Sequence, residues 1–305
     1  ALALYDRPDF EYNLHPARVP RVWSSSVKKP SEGRLTGRIV RNVLGKKKPT
    51  PPNASNCAEW SQQASDVVVV PEYVSGWMPD SLDAPLVLLN QGLYTLFRAY
   101  MHPRFNRANF TASIAVSKAC AEASRLVMGN EPEEIRPYIS EELYAFQADK
   151  KMQIAYMPRR RGDDAATVIK ALGQSTDVPF VPIDGASKLE AARLIRESLF
   201  FLSFSQREGF GLPAAEAIAT GALTIGYTGV GGNEFFTHET GFPIPEDDLV
   251  MMHDTALHVI NRYLGSPKEL DDFRAKASRA ILQTYNRSRF EHDVLRVFDK
   301  IRCRS

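Results

Sequence analysis

The sequence predicts an α/β protein made of two successive parallel-sheet units, and three observations carry that prediction. Apolar, β-branched runs of strand length alternate with stretches of helical periodicity, the order that crossover connections between parallel strands require. The alternation breaks at a polar stretch, 130–149, and then restarts. Residues 199–205, LFFLSFS, are apolar nearly throughout, as a central strand covered on both faces must be.

In chain order, residues 1–65 are the least regular part, rich in Pro, Ser, Arg and Lys, and GKKKPTPPNASN (45–56) reads as an exposed loop. SDVVVVPE (65–72), APLVLLNQG (84–92) and ASIAVS (112–117) are strand candidates. LYTLFRAYM (93–101) and KACAEASRLVMG (118–129) are the helices between and after them, the second stopped by Gly129. The second unit opens with the strand MQIAYMP (152–158) and the helix DDAATVIKALG (163–173), capped by Asp and closed by Gly. VPFVPIDG (178–185) is a strand, SKLEAARLIRES (187–198) a helix, and ALTIGY (222–227) the strand after the central one; terminal helices run through RFEHDVLRVFDKI (289–301). The expected division is 1–150 and 151–305, with the last helix a candidate for packing back on the first domain. The halves show no close sequence repeat, so element order alone supports it.

Composition excludes several classes. A hydrophobic content of 44% over 305 residues is enough for packed cores, and a net charge of +2 does not mark a nucleic-acid binder. No apolar run reaches the ~18 residues of a membrane span. Asp6, Arg7, Asp9 and Glu11 do not suit a secretory signal, and a start at Ala1 is consistent with a missing upstream piece. Cys57, Cys120 and Cys303 form no close pair, so neither a disulfide framework nor a zinc ribbon is expected, and a reducing cytoplasm is the default location.

The most informative stretch is SQREGFGLPAAEAIATGALTIG (205–226). It follows the central strand, and Pro213 suits the first helical position, so it reads as a strand-to-helix turn at the carboxyl edge of a parallel sheet, where open α/β folds bind ligands. Gly209 and Gly211 let the backbone approach a ligand, and the free N–H groups of the turn suit a diphosphate. Glu208 at the strand end and Glu216 one turn into the helix could both accept hydrogen bonds from sugar hydroxyls. The plainer alternative is that a first-turn glutamate answers the helix dipole, worth about 0.3–1 kcal/mol.

The string EGFGLPAAEAIATG closely resembles the E-x(7)-E signature of retaining glycosyltransferases of family four, over roughly residues 110–300 and most strongly over 199–235. The resemblance implies the GT-B fold: two Rossmann-like domains with a donor cleft between them. It implies that Glu208 contacts the transferred sugar, that Glu216 binds the ribose hydroxyls, and that the backbone of Gly209, Phe210, Gly211 and Leu212 meets sugar and diphosphate. In AYMPRRRG (155–162), Arg159 matches the family arginine, and Arg160 or Arg161 would replace the family lysine from a shorter loop. Cations there would stabilise the charge of a departing pyrophosphate; a solvated basic turn is the alternative. TGVGGNEFF (228–236) resembles the later glycine-rich loop, which places Gly231 and Gly232 in the cleft and leaves Glu234 to cap the next helix. Ile183 or Asp184 matches the loop near the base.

The first half departs from the family pattern. The first glycine is Gly33, and the strand that often ends in histidine ends as LLNQG. Asn90 or Gln91 could give an acceptor-side hydrogen bond but could not transfer a proton near neutrality; His102 is the alternative. The family's retaining chemistry uses the donor phosphate to assist the incoming hydroxyl, so no protein base and no metal cofactor is expected. The expected partners are a nucleotide-sugar and a glycan or lipid-linked acceptor, with no specific nucleic acid.

Residues 33–48, GRLTGRIVRNVLGKKK, read as a basic amphipathic helix: Leu35, Ile39, Val40, Val43 and Leu44 share about half of the wheel, and Arg34, Arg38 and Arg41 lie within about 60° opposite. Peripheral contact with an anionic inner membrane face is one expectation from it; packing on its own domain is the other. Among rival functions, a metal-dependent transferase needs a D-x-D pair that the sequence lacks. A nucleotide-sugar epimerase is an enzymatic rival, and a degenerate GT-B protein serving as a binding partner in polysaccharide assembly is the non-enzymatic one.

Overall fold

A computed structural model describes residues 67–77 and 85–302. The amphipathic segment 33–48, the loop 45–56, Cys57 and Cys303 lie outside the described residues.

The first sheet is parallel throughout, in the order β1 (Val68–Pro71), β2 (Leu86–Asn90), β3 (Phe110–Ala115), β4 (Glu133–Glu134). Helix α1 (Leu93–Tyr100) follows β2 and α2 (Lys118–Met128) follows β3. Alternation along the strands serves two faces. Leu86 and Leu88 join Leu96, Phe110 and Val127 under α1 and α2, while Val87, Ala112 and Ile114 point to the other side. Helix α9 (Arg287–Arg302) covers that other side with Val294, Val297 and Ile301, so the last helix of the chain completes the core of the first sheet. Lys300 and Arg296 seal its edge against Glu133.

The second sheet has the order β6 (Phe180–Pro182), β5 (Lys151–Tyr156), β7 (Ser198–Phe204), β8 (Leu223–Tyr227), β9 (Phe242–Pro243), again all parallel. Every residue of β7 is buried, as its unbroken apolar run requires. Phe200, Leu202 and Phe204 face one helical layer and Phe201 the other. The covering helices are α4 (Gly162–Leu172), α5 (Lys188–Glu197), α6 (Leu212–Ala219), α7 (Leu249–Gly265) and α8 (Pro267–Thr284).

Three local expectations change. Helix α4 begins at Gly162, and the residue at its N-cap is Arg161, with no side-chain cap; Asp163 and Asp164 lie in the first turn. Gly173 closes that helix in the right-handed region, unlike Gly129, which ends α2 at φ 74°. The polar stretch 130–149 contains β4 and a short helix, α3 (Glu141–Tyr144). Its neighbours Gln147 and Ala148 are tied down by the buried guanidinium of Arg274 on α8, which bonds to both carbonyls.

Candidate active site

The turn after β7 is held by backbone bonds to the loop after β8. The Glu208 N–H donates to the Gly229 carbonyl (2.9 Å) and the Gly231 N–H to the Glu208 carbonyl (3.2 Å). Gly211 at φ 95° is the N-cap of α6, a conformation open mainly to glycine, and Pro213 falls in the first turn. Two non-glycine residues flanking this contact are strained: Arg207 at φ 52° and Val230 at φ 73°, the latter in a tight turn closed by a bond from the Gly231 N–H to the Gly229 carbonyl (3.0 Å). Such positions cost about 1–3 kcal/mol each and persist only where the surroundings enforce them.

This turn meets the carboxyl edge of the first sheet. A Cβ on Gly209 would sit 1.8 Å from the Gln91 carbonyl oxygen, and the Gly209 carbonyl accepts a bond from Ser117 Oγ (2.5 Å). Ser117 is also the N-cap of α2, accepting from the Cys120 N–H. Glu234 spans the same seam: its carboxylate accepts from the Lys118 N–H (2.8 Å), from Arg136 Nε (2.9 Å) and from the Tyr285 hydroxyl (3.2 Å). Glu234 therefore caps a helix, but one in the first domain rather than the next in sequence. Ser117 and this bridging function of Glu234 escape sequence reasoning because the partners lie about 90 and 116 positions apart.

Within the site, the Glu208 carboxylate pairs with Arg160 Nε at 3.1 Å, and Arg159 is exposed on the same turn. Arg161 is used differently. Its side chain is only 8% exposed, lies over the Tyr227 ring at 4.5 Å, and pairs with Asp164 (3.0 Å), Glu246 and Asp247. Glu246 in turn accepts from the Gly229 N–H (3.2 Å), so Arg161 bears on the glycine loop through Glu246 rather than offering an uncompensated charge. Gly231 and Gly232 are buried in that loop, the Gly232 N–H bonded to the Thr228 carbonyl.

Phe210 turns its side chain into the core against Phe235 and Tyr285 (centroids 4.9 and 5.2 Å), which leaves only its backbone to face the cleft. Leu212 is 40% exposed at the helix start. Glu216 is partly buried on α6, hydrogen-bonded to the Tyr144 hydroxyl of α3, and feels the positive charge of Lys188 at the start of α5. Burial pushes its carboxyl from 4.5 up to about 7, against the opposing pull of Tyr144 and Lys188. Ile183 is buried beneath the β6–α5 loop and Asp184 is exposed on it.

Since the folded-state value of Glu216 is raised, ionisation is costlier in the fold than in the unfolded chain. Its contribution to stability therefore falls as pH rises from about 4.5 through 7. Glu216→Gln is expected to melt higher than the wild type at pH 8, by about 1–2 kcal/mol once solvent screening is discounted, with the difference gone near pH 4. Melting curves across that range check it.

On the acceptor side the three candidates separate. Asn90 is fully buried, donates to the Cys120 carbonyl (2.8 Å) and Ser124 Oγ (2.9 Å), and accepts from the Gly92 N–H (3.1 Å). Its amide is thus committed to fixing the β2–α1 loop on α2. Gln91 is exposed at the seam itself. His102 stands beyond the other end of α1, about 12 Å of helix away from Gln91, and is not brought to the cleft. Sequence reasoning missed Glu72, a buried carboxylate after β1 that accepts from the Gln91 N–H (3.1 Å) and Thr95 Oγ1 (2.6 Å) and so sets the loop that touches Gly209. The proline-flanked acid at the end of a strand was its only local signal.

Among the described residues no group of three His, Cys, Asp or Glu side chains is placed to hold a metal, and no helix is long and apolar enough to cross a membrane. A hollow of about 550 Å³ lined by Glu141, Phe146, Ser278 and Leu282 includes none of the glutamates, arginines or glycines of this site.

Over 177 residues the chain is 28% identical to an alpha-1,6-glucosyltransferase of Actinobacillus pleuropneumoniae serotype 7 (strain AP76), a match covering 55% of this chain and 52% of that protein. The chain is homologous to glycosyltransferases. Among solved structures it resembles sucrose-phosphate synthase from Thermosynechococcus elongatus, with a TM-score of 0.59 and 16% identity over 78% of this chain and 74% of that one. It also resembles S. aureus TarM in complex with fondaparinux, alpha-GlcNAc-glycerol and UDP, with a TM-score of 0.57 and 14% identity over 72% and 52% of the two chains. The fold is GT-B. No protein-family model matches the chain. The chain spans about half the length of the glucosyltransferase that it matches.

Proposed function

We propose that the chain is a retaining, metal-independent glycosyltransferase that moves a sugar from a nucleotide-sugar to a glycan or lipid-linked acceptor. The observation that carries this is the placement of Glu208 on the turn after β7 and of Glu216 in the helix that the turn opens, at the carboxyl edge of the second sheet, with Gly209 of that turn against the carboxyl edge of the first. The glucosyltransferase homology and the UDP-bound TarM neighbour support the donor class.

In this reading the Glu216 carboxylate accepts the ribose hydroxyls near Tyr144 and Lys188, and the loop carrying Asp184 borders the base. The backbone N–H groups of the α6 start and the Gly231–Gly232 loop take the diphosphate. Arg159 and Arg160 balance charge as the bond from the sugar C1 to the phosphate oxygen breaks. Glu208 holds the sugar while the acceptor oxygen bonds to C1 on the same face and its proton passes to the departing phosphate. The exposed Gln91 is the acceptor-side contact. The proposed location is the cytoplasm or its membrane face, a reducing compartment, as expected of a sequence whose cysteines form no close pair.

A thermal-shift panel of UDP, GDP, dTDP, ADP and CMP on the wild type and on Glu216→Ala tests the donor site. A nucleotide at a hundred times its dissociation constant adds about 2.7 kcal/mol of stability. One nucleotide is expected to stabilise the wild type and not the variant; no response to any of the five would overturn the proposal.

A further inference from the structure

Arg207 and Val230, the strained residues on either side of Glu208 and its bridge partner loop, share a second property: each lays its side chain against the first domain, Arg207 at the exposed rim and Val230 half-buried. The Arg207 guanidinium lies over the Tyr94 ring of α1, 4.9 Å from its centroid. Val230 packs onto the core formed by Val70, Leu88 and Leu93 beneath the first sheet. Val230 is also the residue that pairs with Glu208 in an isolated parallel bridge. A β-branched residue at positive φ is a rare conformation, and beside the backbone bonds that close its own turn the side chain's packing against the first domain's core opposes the strain. The same backbone that carries Glu208 is thereby set by two contacts that exist only when the domains meet.

We propose that Arg207 and Val230 are positioning residues, a two-point clasp that couples closure of the cleft to placement of the Glu208 carboxylate. The coupling to placement rests on the proposed role of Glu208 at the transferred sugar; the clasp itself does not. Separating the domains removes Val230 from its apolar seat and Arg207 from Tyr94, and both turns lose the contacts that oppose their strain. Glu208, bonded between Gly229 and Gly231, then relaxes with them.

One backbone amide reports closure directly: the Lys118 N–H, held across the seam by Glu234. Hydrogen exchange at Lys118 is compared with exchange in β7, which reports global unfolding. Val230→Ala removes two half-buried methyl groups from the seam and is expected to raise Lys118 exchange about tenfold with β7 unchanged. Arg207→Leu is expected to raise it about threefold, and Val230→Ile to keep the wild-type rate. Unchanged Lys118 exchange in Val230→Ala, or an equal rise in β7, would overturn the clasp.

Turnover then tests the coupling. In Val230→Ala, kcat is expected to fall about tenfold or more while nucleotide Kd stays within about threefold. Faster exchange with unchanged kcat would overturn the link to Glu208. A wild type that binds no nucleotide would sink the glycosyltransferase reading alone, and Lys118 exchange would still decide whether the clasp exists.

Discussion

Glu208→Gln is expected to lower sugar transfer by about 10²–10³-fold while nucleotide affinity stays within about threefold. The substitution keeps the side-chain shape and removes the charge that faces Arg160 and, in the proposed role, the transferred sugar. A preorganised charge of this kind acts mainly on the transition state, and removing one such group costs rates of that order. Stability is expected to move by less than about 1 kcal/mol, because the Arg160–Glu208 pair is open to solvent on the arginine side, 51% exposed. Single-turnover transfer, measured beside nucleotide titration, checks this. Equal losses in rate and in nucleotide affinity would show that Glu208 organises the donor site rather than the reacting sugar.

Gly209→Ala is expected to cost about a hundredfold in kcat and to lower the melting temperature, because parting the domains stretches the Ser117–Gly209 and Glu234–Lys118 bonds across the seam. A Cβ at residue 209 would lie 1.8 Å from the Gln91 oxygen and 2.5 Å from its carbonyl carbon. Both are backbone atoms, so no side chain can swing away, and the two domains would have to part by about 1.5 Å to reach ordinary contact. A misplacement of about 1 Å is enough for a loss of that size. Gly209 does not adopt a positive φ, so neither domain is strained by the change on its own. Full activity in Gly209→Ala would mean that the domains do not meet at this glycine during turnover.

Much of the architecture was legible because burial on both faces leaves a local mark. The runs that became β2, β7 and β8 are almost wholly buried and largely apolar, since a covered central strand has no solvent side to keep polar, whereas β5 opens on exposed Lys151 and Met152 and shows its apolar mark only at Ile154 and Ala155. β4 and β9 are two residues long and had no such mark; they exist because a neighbour's edge offers them hydrogen bonds. The helix starts show the same contrast. Ser187 caps α5 with its own side chain, a local interaction, whereas the expected Asp cap of α4 is absent and Arg161 fills that position.

What the amino-acid sequence determined by itself was therefore whatever depends on neighbours in the chain: strand and helix order, the glycine corner at 209–211, and two glutamates on one turn. Tertiary structure alone decided how the long polar side chains are spent. Arg161 belongs to a run of three arginines, yet Glu246 and Asp247, 85 and 86 positions away, compensate its charge while Arg160 meets Glu208. Asn90 ends its strand where a ligand contact was expected, yet Cys120 and Ser124 take its amide. Glu216 acquires a raised carboxyl because the completed fold buries it, and the Tyr144 hydroxyl and Lys188 that it meets there offset only part of that cost. The physical reason is one of range. Backbone propensity and apolar burial act over a few residues, whereas the partner of a flexible charged or amide side chain is whichever group the completed fold carries within hydrogen-bonding reach.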